Sequence, residues 1–151
     1  MDKKFTIPCF IRVTDKNKQY VTDKLKSMGY NEFVYGTLID RHCIVANHCI
    51  SGQFSCIEVS RLPKSEADLC NDCGTNTSLF LALAAMNDTD DYMQWFVRCG
   101  TGIGDSYYLC KAKRFRNIRV FRHKSKMGGE YHNGIYRKAT KDELIKYFQK
   151  V

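Results

Sequence analysis

The chain has 151 residues, with 24 Lys or Arg against 16 Asp or Glu and a formal net charge of +8. With 44% apolar residues, 26% charged residues and two prolines it is too rich in core-forming side chains to remain disordered, and its length suits a single domain over 1–151. The longest apolar run, Leu79–Met86, is far short of the ~20 residues a spanning helix needs, so no membrane partner is expected.

The first element is an alternating run. Phe5, Ile7, Cys9, Ile11 and Val13 are apolar at every second position, the period of a half-buried strand. The charged start reaches Arg12 after only a few apolar residues, so no secretory signal is expected and the eight cysteines should sit reduced in a cytosol. Asp15 is placed to cap a helix in which Val21, Leu25 and Met28 share one face, with Gly29 as its stop. Strands are expected at about 33–39, 43–50 and 54–60, with Ser51-Gly52 as a tight turn. A long connection over 61–75 leads to a second helix at about 77–86, capped by Thr75 or Asn76. Its face of Leu79, Leu83 and Met86 repeats the spacing of the first helix, and its remaining residues are apolar nearly all round, as a central buried helix requires.

Beyond it, 92–99, 106–113 and 118–123 read as strands. Thr140-Lys-Asp-Glu143 is a capping box that opens a short docking helix carrying Leu144, Tyr147 and Phe148 on one face. The pattern predicts an α+β fold. Its mostly antiparallel sheet is built from two β-helix-β-β units, with three helices on one face, the short C-terminal docking helix among them.

Charge is not spread evenly along this chain. No acidic residue lies between Asp105 and Glu130, while that span holds Lys111, Lys113, Arg114, Arg116, Arg119, Arg122, Lys124 and Lys126. Those eight cations equal the whole net charge; the remainder holds 16 basic and 16 acidic residues. Such segregation places a positive field on one face. Tyr107, Tyr108, Phe115 and Phe121 interleave with the cations, and rings beside cations suit a nucleic-acid or nucleoprotein partner. The competing expectation is a solvated strand edge that its Lys and Arg protect from aggregation.

Other constellations carry less. Cys70 and Cys73 have the spacing of half a zinc site, and a second half could come from His42, Cys43, His48 and Cys49. With no second CxxC, structural cysteines and no cofactor are the expectation. Gly100–Gly104 lacks the lysine and helix of a phosphate loop. Asp88, Asp90 and Asp91 read as a solvated turn. Cys73-Gly-Thr-Asn-Thr-Ser-Leu resembles the nucleophile segment of C39-type cysteine peptidases, which would make Cys73 a nucleophile with His132 and Asp142 as partners. An extra residue before Thr-Ser-Leu and the lack of an upstream glutamine set the segment apart, and a cap-region cysteine is expected instead.

The segment from Asp72 to Val97 (DCGTNTSLFLALAAMNDTDDYMQWFV) resembles a motif of short phage and prophage accessory proteins, and Lys138 to Phe148 (KATKDELIKYF) is similar to the tail of many of them. The resemblance implies a compact α+β module of mobile-element origin, without an assigned activity. Such accessory proteins commonly bind a host machine, some as inhibitors of host defence such as anti-CRISPR proteins. The function expected is therefore non-enzymatic binding of a host protein or ribonucleoprotein through the eight cations named above, in the host cytosol. Direct binding of RNA or single-stranded DNA is the second expectation, and hydrolysis by Cys73 the third.

Overall fold

Residues 6–33, 43–46, 52–99, 106–115 and 135–149 are described by the computed structural model, and they form an α+β fold. The chain divides into two compact units. One comprises Met1–Thr89 with Lys141–Val151, and the other Asp90–Thr140.

In the first unit the alternating start becomes β1 (Cys9–Arg12), and the helix after it is α1 (Asp15–Ser27). Its cap is Thr14 rather than Asp15. The Thr14 hydroxyl accepts from the Lys16 and Asn17 amides, and the Asn17 side chain accepts from the Thr14 amide at 2.7 Å. Asp15 falls in the first turn, where its charge suits the positive end of the dipole. Gly29, at φ 99°, ends α1: its amide donates to Lys26 and that of Tyr30 to Leu25, satisfying two terminal carbonyls.

Strands β2 (Asn31–Glu32), β3 (Cys43–Ala46) and β4 (Gln53–Cys56) follow. The connection over 61–75 contains more order than its polar composition suggests. A single 3₁₀ turn (Val59–Arg61), α2 (Lys64–Ala67) and β5 (Asn71–Asp72) lie along 59–72. The sheet runs β2-β4-β3-β1-β5 and is mixed, since β1 pairs antiparallel with β3 and parallel with β5.

Strand β1 is buried on both faces because other elements pack on each side of it. On one side Phe10 packs with Cys43, Val45, Ile57 and Leu62, against which Val59, Ala67 and Cys70 also rest. On the other side α3 (Thr77–Ala84) packs on β1, and the Cys9 thiol points at the Phe80 carbonyl. Helix α3 is buried on every side from Leu79 to Ala84, as its composition predicts. Helix α1 and the C-terminal helix α4 (Lys141–Phe148) both contact it.

The second unit holds β6 (Trp95–Cys99), β7 (Ser106–Leu109) and β8 (Ile135–Lys138), an antiparallel sheet in the order β7-β6-β8. The strands after α3 thus form a sheet of their own, with β6 between β7 and β8, and β5 before it belongs to the first sheet. The described pairing does not lay out two β-helix-β-β repeats. Spacing along the chain records amphipathic faces, whereas sheet membership is decided by hydrogen bonds between distant segments. The expected strand at 118–123 lies outside the described residues. Among the described residues no helix is long and apolar enough to cross a membrane.

Candidate functional site

Of the eight cations singled out by sequence, Lys111, Lys113 and Arg114 are described and all three are exposed. Arg116, Arg119, Arg122, Lys124 and Lys126 lie outside the described residues. The three described cations sit on a turn that continues from β7, so they are not part of a strand reaching 113.

That turn is held at both ends. The Cys110 amide donates to the Gln94 carbonyl at 2.9 Å and its carbonyl accepts from Met93 at 2.7 Å, prolonging the pairing beyond β7. Further on, the Asp91 amide donates to the Lys113 carbonyl at 2.8 Å, and the Asp91 carboxylate accepts the Phe115 amide at 2.7 Å. The second carboxylate oxygen lies 3.4 Å from the Lys138 ammonium. Asp91 is therefore a latch rather than one more carboxylate of a solvated turn, and its side chain is 15% exposed. Local spacing does not reveal this role, because the partners of Asp91 lie some twenty or more residues away. A hollow of about 490 Å³ is lined by residues 109–115.

Strand register places an aromatic cluster next to this turn. Phe96 pairs with Tyr108 on one side and Lys138 on the other, and Arg98 pairs with Ser106 and Tyr136. Because side chains alternate between faces, Phe96, Arg98, Ser106, Tyr108, Tyr136 and Lys138 share one face. Phe115, at the end of the turn, stacks on Phe96 with centroids 4.1 Å apart and planes 10° from parallel. Its ring also lies 5.1 Å from Tyr136, which meets Tyr108 edge-on at 5.4 Å. Tyr108 remains 39% exposed. Partial burial raises the Tyr108 phenol, but hydrogen bonds with Ser106, Arg98 and Tyr136 and the Arg98 charge together outweigh it, and the net shift is downward.

The cysteines occupy different surroundings. Cys43 and Cys56 are buried in β3 and β4, and Cys73 is 4% exposed. Desolvation raises the Cys9 thiol well above its ordinary value, with a hydrogen bond to Cys73 and the nearness of Cys73 and Cys70 adding to it. Cys73 precedes Gly74, whose φ of 59° forms the turn into α3, and the Gly74 amide donates to the Asp72 carboxylate at 2.8 Å. A nucleophile must reach its substrate, and this thiol faces the interior. Its supposed partner Asp142 lies in the first turn of α4, and His132 lies outside the described residues. Among the described residues no three His, Cys, Asp or Glu side chains are grouped to hold a metal; His42, His48 and Cys49 are not among them.

Charge follows the division into units. The unit Asp90–Thr140 carries eleven Lys or Arg against four Asp or Glu, a net of +7, and the other carries thirteen against twelve, a net of +1. What the described part of this surface offers chemically is three exposed cations on a backbone-latched turn beside partly exposed rings. No family model matches the chain, and no curated protein or solved structure matches it significantly.

Proposed function

We propose that this chain is a non-enzymatic accessory protein that binds a host nucleoprotein or nuclease in the host cytosol, through the basic segment between Asp105 and Glu130. The observation that carries the proposal is the concentration of +7 of the +8 net charge in one unit, with Lys111, Lys113 and Arg114 exposed on a latched turn. A protein that used its charge only to stay soluble would spread it over both units. A fixed cationic turn instead favours a polyanion: exposed guide or substrate backbone, or an acidic patch on a nuclease. The likeness of Asp72–Val97 to phage accessory proteins supports a host-directed binding role without assigning an activity, and inhibition of host defence, of the anti-CRISPR kind, is the form of that role proposed.

Affinity capture from a bacterial host lysate, with and without nuclease treatment, tests this. The wild-type chain should retain a stoichiometric protein after treatment, and Lys111→Glu, Lys113→Glu and Arg114→Glu together should lose it. Reversal of Lys18, Lys24 and Lys26 on α1 changes net charge equally and should retain it. Equal loss in both sets would mean that only net charge matters. Loss of every partner on nuclease treatment would leave direct nucleic-acid binding as the function.

A further inference from the structure

Tyr108, Phe115 and Tyr136 bring three rings together on the face of a three-stranded sheet, at the foot of the turn that carries Lys111, Lys113 and Arg114. We infer that this face is a stacking platform for the unpaired bases of a single-stranded nucleic acid, with the turn holding its phosphates. The inference rests on the reading of the basic segment as a polyanion contact, and it specifies the polyanion as the guide or substrate strand that a host nucleoprotein leaves exposed while its protein shields the rest from nuclease.

Three observations select this ligand over an acidic protein patch or a duplex. First, cations alone satisfy phosphates or carboxylates equally, but an exposed ring beside them adds a surface on which an unpaired base can stack. Tyr108 supplies such a ring at the sheet edge, 39% exposed on a strand that pairs only with β6 among the described residues. Second, the rings are positioned from several sides. Phe115 lies nearly parallel on Phe96, and Tyr136 meets both Phe115 and Tyr108, so the platform is built before a ligand arrives and little ordering entropy remains to be lost.

Third, ring and charge have the right separation. Lys111 stands three residues after Tyr108, at most roughly 10 Å along an extended chain, within about three backbone steps of a stacked strand. A duplex buries the faces of its bases against one another and offers nothing to such a ring. No Asp or Glu lies in the sequence between Asp105 and Glu130 to repel the backbone, and Asp91 is neutralised by its contact with Lys138.

Equilibrium binding of the full chain to fluorescent oligonucleotides tests the platform: a uridine 12-mer, a thymidine 12-mer, an abasic 12-mer of equal phosphate count, and a 12-base-pair duplex. At least one of the two base-bearing single strands should bind more tightly than the abasic strand and the duplex. For that strand Tyr108→Ala should weaken binding by roughly five- to 150-fold, the range expected for removal of one base stack. Tyr108→Phe should bind within twofold of wild type, because the ring remains. Tyr108→Leu, which keeps apolar cover for Tyr136, should weaken binding as alanine does, with an unchanged melting curve that separates stacking from folding. None of the three substitutions should alter abasic-strand binding. Tight uridine binding alone would assign RNA, and tight thymidine binding alone DNA; either supports the platform. Abasic or duplex binding as tight as the single strands, or Tyr108→Leu equal to wild type, would overturn the platform while leaving the cationic turn as a polyanion contact. If that turn is itself uninvolved, reversal of Lys111, Lys113 and Arg114 leaves both lysate capture and oligonucleotide binding intact, and both readings fall together.

Discussion

Tyr108 shows how a single side chain can report on its surroundings. Desolvation is the largest single influence on its phenol and raises it. Hydrogen bonds with Ser106, Arg98 and Tyr136, together with the Arg98 charge, outweigh that rise and leave the phenol below the ordinary tyrosine value. A folded-state pKa below the unfolded value stabilises the fold fully above the unfolded value, near 10, and that contribution vanishes as pH falls through the lowered value. At neutral pH it contributes nothing, so stability should rise with pH only in the alkaline window between the two. Absorbance titration at 295 nm should contain a component below the ordinary tyrosine value. Tyr108→Phe should remove that component, and Arg98→Gln should move it upward; an unmoved component would mean that Arg98 does not set it.

At the element scale, one side-chain amide ties helix α3 to helix α4 in addition to their packing. The Asn76 side-chain oxygen caps α3 by accepting the Leu79 amide at 3.0 Å, and its nitrogen donates to the Phe148 carbonyl at 2.6 Å, the last of α4. Tyr30 acts similarly at the other end of α3, donating its hydroxyl to the Ala84 carbonyl. Both residues lie at helix ends, where backbone groups lack intrahelical partners. Asn76→Ala should cost about 1–2 kcal/mol in chemical denaturation, because the cap is removed. Asn76→Asp separates the two roles: the carboxylate still caps α3 but offers no donor to Phe148. Amide exchange in this variant should rise in the last turn of α4 and stay near wild type in the first turn of α3. A uniform rise would place the Phe148 contact outside the stability of α4.

At the scale of the whole molecule, the residues of the unit of net +7 fall, in chain order, between α3 and α4, two helices that pack together in the unit of net +1. This separation allows stability and affinity to be altered independently. Reversing Lys111, Lys113 and Arg114 should leave the melting temperature nearly unchanged, since exposed charges contribute little to folding. It should also flatten the slope of log K against log[salt] for a single strand by about 0.7 for each phosphate that is no longer neutralised. The reversals on α1 should lower affinity slightly and leave that slope as it was. An equal change of slope in both variants would show that the ligand reads only total charge.

Elements that depend on near neighbours are legible in the sequence itself. The face of Val21 and Leu25, the stop at Gly29, the buried α3 and the helix after Thr140 all emerge from spacings of a few residues, because helix periodicity and caps are local. Charge segregation is likewise a property of the chain alone, and it marks out Lys111, Lys113 and Arg114. Other features required the fold. The order β2-β4-β3-β1-β5, the core around Phe10, the latch from Asp91 to Phe115 and the convergence of Phe96, Tyr108, Phe115 and Tyr136 join segments distant in sequence. A strand's alternation tells which residues share its face but not which strand lies beside it. That choice is made by long-range hydrogen bonds and packing, whose partners leave no mark in local spacing.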